Sequence, residues 1–163
     1  IRWNPDGKKV KTPRNRFIDA MPDDVSWPKW SPSRKYLTFI TNGVLAIADV
    51  DAISATGFWV LQRNEVPCER IEEWSPDGRQ VLFYLRSEIC VATVERGEFT
   101  SYRNLSRLKG RDATWSPSGK QIAFIGPDQG GRRTSELYTI DVANGKMGQI
   151  THTNFDYFDL HWR

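Results

Sequence analysis

A chain of 163 residues, with 39% hydrophobic and 26% charged residues, has the balance of an ordinary globular protein and is neither intrinsically disordered nor collagen-like. No apolar run approaches the roughly 18 residues that a membrane helix requires, so the sequence predicts no membrane span. The formal net charge is +3, and aromatic residues make up 12% of the chain, which favours β-strands over helices.

The positive charge is concentrated at the start of the sequence. Six Lys and Arg stand against a single Asp in the first sixteen residues, which gives this segment a charge of +5. Such a basic arm could contact phosphate or an acidic partner, or it could be a solvated terminus. Only Trp3 and Phe17 offer rings there for stacking on bases, so the sequence argues against nucleic acid as a partner.

Three segments superimpose without gaps and define a repeat. They read WSPSRKYLTF, WSPDGRQVLF and WSPSGKQIAF, and they begin at Trp30, Trp74 and Trp115. Each copy has a phenylalanine nine residues after its tryptophan, at Phe39, Phe83 and Phe124. We expect the tryptophans to be equivalent and the phenylalanines to be buried between sheets. The spacing of the copies matches one four-stranded propeller blade.

The motif fits a tight turn followed by a strand. In Ser-Pro-Asp-Gly, Pro fixes φ, Asp accepts backbone hydrogen bonds and Gly takes a left-handed conformation. Alternation after the turn then places Val81, Phe83 and Leu85 on one apolar face. Arg34 stands where Gly is expected, so we predict a strained left-handed residue or another turn type there.

The predicted modules follow one another along the chain. Residues 1–29 form a degenerate partial blade with the basic arm, because the copy WNPDGKKV at Trp3 has Thr12 where Phe is expected. Full blades follow at 30–73, 74–114 and 115–157, and residues 158–163 form the opening strand of a further blade. Third strands are predicted at 45–50, 89–94 and 137–142, and fourth strands at 58–62, 99–104 and 147–151.

The consensus resembles a known repeat. Trp-Ser-Pro-Asp-Gly-Lys-x-Ile-Ala-Phe, then Leu-Tyr-x-Ile-Asp-x-x-x-Gly and Ile-Thr, is similar to the WD-repeat-like unit of TolB-like β-propellers, most completely from Trp115 to Thr151. The resemblance implies an all-β propeller with about three full four-stranded blades and partial blades at both ends, as part of a larger propeller. It also implies an extracytoplasmic, periplasmic location.

No motif of a catalytic, metal or phosphate site is present in the sequence. Ser118 belongs to a repeat turn rather than to a nucleophile elbow, and the two histidines, His152 and His161, lack a metal-binding spacing. Strand alternation is expected to send Glu72 and Glu73 to opposite faces, where they cannot act together. We therefore predict no catalytic residue, no cofactor, no metal ion and no small-molecule substrate.

The two cysteines are predicted to be free. Cys68 precedes the first strand of its module and Cys90 lies in the third, so one strand stands between them. Strands two apart are separated by roughly 9.5 Å, beyond the Cα separation of about 7 Å that a disulfide tolerates.

One loop is the candidate partner site. Residues 126–136, GPDQGGRRTSE, join the second and third strands of the last full module and are longer than their counterparts. The candidate binding residues are Asp128, Gln129, Arg132 and Arg133. Propeller insertions project from one end, where partners bind, although a solvated hairpin is the alternative. Trp27 and Trp59 are either interface anchors or blade packing.

Repeats without a catalytic constellation predict a non-enzymatic module that binds or scaffolds other proteins, as an accessory subunit of a larger assembly. The alternative is a substrate-filtering propeller of a prolyl-oligopeptidase-like serine peptidase whose catalytic domain lies outside this sequence. An open arc of blades is expected to leave the apolar faces of its outer blades exposed, for a partner or further blades to cover.

Overall fold

The structure, a computed structural model, describes residues 16–19, 24–51, 59–130, 134–153 and 155–162, with the backbone alone at 16–19 and 59–65. The first sheet contains β1 (Arg16–Asp19), β2 (Ser26–Trp30), β3 (Tyr36–Thr41), β4 (Val44–Asp49) and β5 (Trp59–Pro67). The second contains β6 (Arg70–Trp74), β7 (Gln80–Leu85), β8 (Glu88–Glu95) and β9 (Glu98–Ser106). The third contains β10 (Arg111–Trp115), β11 (Gln121–Pro127), β12 (Ser135–Asp141) and β13 (Met147–Gln149).

The sheets are antiparallel and packed in chain order. Their strand orders are β1-β5-β4-β3-β2, β6-β7-β8-β9 and β10-β11-β12-β13. One apolar core lies between the first and second sheets and another between the second and third. This is the arrangement of successive blades in a β-propeller, so the predicted all-β propeller class is confirmed. No helix in the described part of the chain is long and apolar enough to cross a membrane.

The motif turns form as the sequence predicts. Ser75 O accepts a hydrogen bond from Gly78 N at 2.9 Å, and Asp77 Oδ1 accepts one from Ser75 Oγ at 2.6 Å. The same backbone bond joins Arg34 N to Ser31 O at 2.9 Å, with Arg34 at φ 58°. The first full copy therefore keeps its turn and holds a non-glycine residue in a left-handed conformation.

The second strand of the middle sheet is buried on both faces. Val81 and Phe83 pack toward the first sheet, whereas Leu82 and Tyr84 pack toward the third. The sequence predicted a single apolar face, but a blade held between two others must bury both of its faces. Phe39, Phe83 and Phe124 each have 0% exposure.

The motif tryptophans occupy the same place in their sheets but different environments. Trp30 pairs with Leu37, Trp74 with Val81 and Trp115 with Ile122, each at the end of a first strand. Trp74 and Trp115 are buried against the preceding sheet, whereas Trp30 is 55% exposed. The tryptophan thus closes the first strand, and the sheets begin at Ser26, Arg70 and Arg111 rather than at the motif.

The two predicted partial blades differ from what the structure describes. Residues 16–19 pair with β5 as a fifth, outer strand, and residues 26–30 are the inner strand of the first sheet, so 1–29 does not form a separate blade over its described part. Residues 158–162 form no strand. A first strand needs hydrogen bonds from the second strand of its own sheet, and none follows within the described residues.

The outward face of the first sheet is less open than expected. Phe39 and Leu37, on the outward face of the first sheet, are 0% and 8% exposed, and Val25 and Val50 pack against them. The expectation of exposed apolar faces is therefore wrong for these side chains.

Cys68 and Cys90 are free and buried, in agreement with the sequence prediction. Strand β7 lies between the strand that follows Cys68 and the strand that holds Cys90. Burial raises the pKa of Cys68 to about 12 and that of Cys90 to about 11, so both remain neutral thiols.

Candidate partner-binding groove

The strand connections divide between two ends of the blades. The motif turns lie at one end, which we call the motif end. The turns between second and third strands, and the connections from one sheet to the next, lie at the opposite end, which we call the loop end. The predicted partner loop, between β11 and β12, belongs to the loop end.

Two adjoining cavities form a groove between the second and third sheets at the loop end. The larger cavity, of about 460 Å³, is lined by Ser87, Lys109, Gly110, Arg111, Ile125, Gly126, Pro127, Thr134 and Ser135. The smaller cavity, of about 290 Å³, is lined by Glu69, Arg70, Tyr84, Ser87, Gly110 and Arg111. Ser87, Gly110 and Arg111 border both, so the cavities share one wall.

The predicted partner loop borders this groove but does not line it with the predicted residues. Asp128 N donates to Thr134 O at 3.0 Å and closes the base of the loop beside the larger cavity. Gln129 Nε2 donates to Pro127 O at 3.4 Å. Arg132 and Arg133 lie outside the described residues. The groove wall comes instead from Pro127 and Thr134, at the two ends of the loop.

Two arginines in equivalent positions dominate the groove. Arg70 and Arg111 each lie four residues before a motif tryptophan, at the start of a first strand. The Arg70 guanidinium lies 4.7 Å from the centre of the Tyr84 ring and 5.9 Å from that of Trp27. The Arg111 guanidinium lies 5.0 Å from the centre of the Phe158 ring. The result is a row of aromatic and guanidinium groups across the inner strands.

The aromatic ends of this row are open to solvent. Trp27 is 47% exposed and Phe158 is 71% exposed. Trp27 is therefore only partly packed against its blade, and the side chain of Trp59 lies outside the described residues. Sequence reasoning singled out Trp27 but missed both arginines, although their identical distance from the motif was a signal that could have identified them.

Acidic residues near the groove stabilise turns. Glu69 accepts hydrogen bonds from Arg86 N at 2.8 Å and Ser87 N at 3.0 Å, where both residues have positive φ. Asp24 does the same in the first sheet, where it accepts hydrogen bonds from Asn42 N, a residue with positive φ, and from Thr41 Oγ1 at 2.8 Å. These carboxylates therefore have a structural role at the turn between second and third strands.

A third cavity, of about 190 Å³, is lined by residues of the inner strands. Its lining differs from the sequence prediction that Glu72 and Glu73 lie on opposite faces. Glu72 and Glu73 both line it, because a bulge between Ile71 and Glu73 breaks the alternation that was expected to separate them. Glu73 Oε1 accepts hydrogen bonds from Thr114 Oγ1 at 2.9 Å and from Trp115 N at 2.6 Å. These bonds link the second sheet to the third.

The remaining ionisable groups of the third cavity do not form a recognisable site. Glu72 is paired with Arg70 at 2.5 Å, and burial raises the pKa of Glu72. His161 lines this cavity, whereas His152 contacts Gln149 elsewhere. The part of the chain that the structure describes contains no group of three or more His, Cys, Asp or Glu placed to hold a metal ion.

No family model matches the chain. Solved structures similar to it include a TolB-like protein from Agrobacterium tumefaciens, with a TM-score of 0.59 and 21% identity over 81% of this chain and 47% of that one. The TolB of Acinetobacter baumannii has a TM-score of 0.53 and 23% identity, over 79% of this chain and 33% of that one. The tricorn protease has a TM-score of 0.57 and 17% identity, over 93% of this chain and 20% of that one. The chain spans less than half the length of each. Identities this low establish the fold alone, which is that of a TolB-like β-propeller.

Proposed function

We propose that this chain is a non-catalytic propeller module that binds a protein partner at its loop end, as an accessory part of a larger extracytoplasmic, periplasmic assembly. The observation that carries the proposal is that two arginines of the groove, Arg70 and Arg111, contact the exposed rings of Trp27 and Phe158. Trp, Tyr and Arg are the residue types that contribute most to the affinity of protein interfaces.

Hydrogen bonds between the two walls of the groove hold it in a fixed shape, which favours binding. Gly110 N donates to Ser87 O at 3.0 Å and Ala113 N donates to the Tyr84 hydroxyl at 3.1 Å, so both walls are joined across the two sheets. A surface fixed in this way loses little conformational freedom when a partner binds. A loop lies beside it, as is common for binding sites on rigid scaffolds.

Site-specific photo-crosslinking in the source organism tests the proposal. A photoreactive residue replaces Ser87 or Lys109 in the groove, or Lys120 at the motif end as the matched control. We expect one discrete protein adduct from the groove positions and none from Lys120. In the Arg70→Ala variant the yield of the adduct should fall about thirtyfold. This is the effect expected when the lost side chain contributes about 2 kcal/mol to the binding free energy. Adducts of equal strength from both ends, or no adduct from the groove, would contradict the proposal.

A second candidate is the substrate-filtering propeller of a peptidase. It is favoured by the likeness to the tricorn protease, which extends over 93% of this chain. Under this alternative the groove would contact peptides on their way to a catalytic domain. Hydrolysis of a fluorogenic peptide by the full-length protein, with a rate that changes in Arg70→Ala, would favour this alternative. A protein without hydrolytic activity favours the binding module.

A further inference from the structure

The larger cavity of the groove has the chemistry of an anion site. Its lining includes the cations Lys109 and Arg111 and the hydroxyl groups of Ser87, Thr134 and Ser135. The lining residues that the structure describes include no Asp or Glu. Resting on the proposed function, we propose that this cavity binds a side-chain carboxylate presented by an acidic segment of the protein partner.

The charge of the cavity fits one carboxylate. Arg111 is already paired with Asp112 at 3.2 Å, and the Asp156 carboxylate lies behind Ser135, so among the lining cations Lys109 is the one left for a ligand and the surroundings carry little excess positive charge. A carboxylate brings one negative charge. A phosphate group brings roughly 1.5 to 2 negative charges and would leave part of its charge unbalanced here.

The Arg111 guanidinium of the cavity is held in position before a ligand arrives. Arg111 Nη2 donates to Ser135 Oγ at 3.1 Å, and Ser135 Oγ donates to Asp156 Oδ1 at 2.8 Å. This chain of bonds, together with the Phe158 ring, fixes the plane of the Arg111 guanidinium. A planar guanidinium in a fixed orientation recognises the planar carboxylate group well.

One hydroxyl of the cavity lacks a partner. Thr134 Oγ1 is buried and has no hydrogen-bond partner among the residues that the structure describes. Buried polar groups are nearly always hydrogen-bonded, so this hydroxyl beside the cavity has a free donor, which rotation of the Thr134 side chain would turn towards a ligand atom. A carboxylate oxygen is such an acceptor, since it can take more than one hydrogen bond.

The size and walls of the cavity suit a peptide side chain with its flanking backbone. A volume of about 460 Å³ is within the range of roughly 300 to 1,000 Å³ that is common for ligand sites. Ile125, Gly126 and Pro127 supply an apolar wall beside the cations, and Ile125 is the cross-strand partner of Arg111. An apolar wall lowers the local dielectric constant and strengthens the attraction between Lys109 and an anion.

The test is a titration of the full chain, followed through its backbone amide signals by NMR. The probes are a capped Gly-Ser-Glu-Ser-Gly peptide, the same peptide with Gln in place of Glu, and inorganic phosphate. We expect the Glu peptide to shift the amides of 109–111 and 134–135 saturably, and the Gln peptide to bind about tenfold more weakly, as for loss of a charge-assisted bond.

The variants locate the effect. Lys109→Gln should lower the affinity for the Glu peptide about tenfold, and Thr134→Val should lower it several-fold. Lys120→Gln at the motif end should leave this affinity unchanged. Equal binding of both peptides in the groove would overturn the carboxylate site but leave the proposed function standing. Phosphate that binds more tightly than the Glu peptide, or amides of the groove that no probe shifts, would also overturn it. Failure of the proposed function is read independently, from the crosslinking yield.

Discussion

A buried threonine hydroxyl links the first two sheets, and its removal is predicted to destabilise the fold. Thr38 has 0% exposure, and its Oγ1 accepts a hydrogen bond from Trp74 Nε1 at 3.1 Å and donates one to Lys29 O at 3.1 Å. Thr38→Val keeps the shape of the side chain and removes both bonds. Trp74 Nε1 keeps its hydrogen bond to Lys29 O at 3.2 Å in this variant. We therefore expect the free energy of unfolding to fall by only about 1–2 kcal/mol.

The next pair of sheets offers the reciprocal experiment. Leu82 occupies the place of Thr38 in the repeat, and Trp115 Nε1 is buried without a hydrogen-bond partner among the described residues. Leu82→Thr supplies the missing hydroxyl at the cost of apolar volume, and Leu82→Val loses a similar volume without supplying a hydroxyl. We expect the Thr variant to be more stable than the Val variant by about 0.5–1.5 kcal/mol. At an ordinary core position a Thr variant is less stable than a Val variant, because Thr buries a hydroxyl without a hydrogen-bond partner.

Urea denaturation followed by tryptophan fluorescence measures all three variants. With a slope of about 2 kcal/mol per molar urea, the loss in Thr38→Val lowers the midpoint by roughly 0.5–1 M. An unchanged slope is the control that native and unfolded states are comparable. A Thr38→Val midpoint equal to that of the parent, or a Leu82→Thr variant clearly less stable than Leu82→Val, would refute the equivalence of the two tryptophan sites.

Three further perturbations have outcomes set by the structure. Gly110→Ala would place Cβ 2.6 Å from the buried Phe124 ring, so calorimetry should show a loss of about 1–3 kcal/mol from overpacking. Trp74→Ala should cost about 3–5 kcal/mol in urea denaturation, whereas Trp30→Ala, at a site 55% exposed, should cost far less. Burial raises the pKa of Cys68 from 9.0 to about 12, so its thiol contributes stability that is complete below about pH 9 and is lost as the pH rises toward 12. The unfolding free energy should therefore fall above pH 9, and less steeply in Cys68→Ala.

Local chemistry explains why so much of the fold could be predicted from the sequence. The motif turn needs only Ser, Pro and a residue that tolerates left-handed φ, and the strand that follows it is determined by alternation. The predicted third and fourth strands of the full blades are confirmed to within a few residues by β4, β5, β8, β9, β12 and β13. Each of these elements is specified by residues close to it in the sequence.

The features that could not be predicted depend on contacts between distant segments. Strand β1 joins the first sheet by pairing Arg16 with Gln62, and no local pattern indicates that partner. The bulge at Glu72 changes which face its side chain reaches, and alternation alone cannot signal a bulge. The groove likewise combines Ser87, Arg111 and Thr134 from separate turns, so its lining emerges only when two sheets pack together.

The groove separates the residues that hold the sheets together from those available to a partner. Tyr84 is 3% exposed and its hydroxyl accepts the hydrogen bond from Ala113 N, so this side chain serves the packing of the sheets. Burial raises the pKa of Tyr84, and the hydroxyl stays protonated under ordinary conditions. Lys109 is exposed and lines the larger cavity, and therefore its replacement can change binding with little effect on the core. Because the repeat already supplies the rigid support, a specific binding surface requires only a few substitutions at the loop end, where the copies differ most.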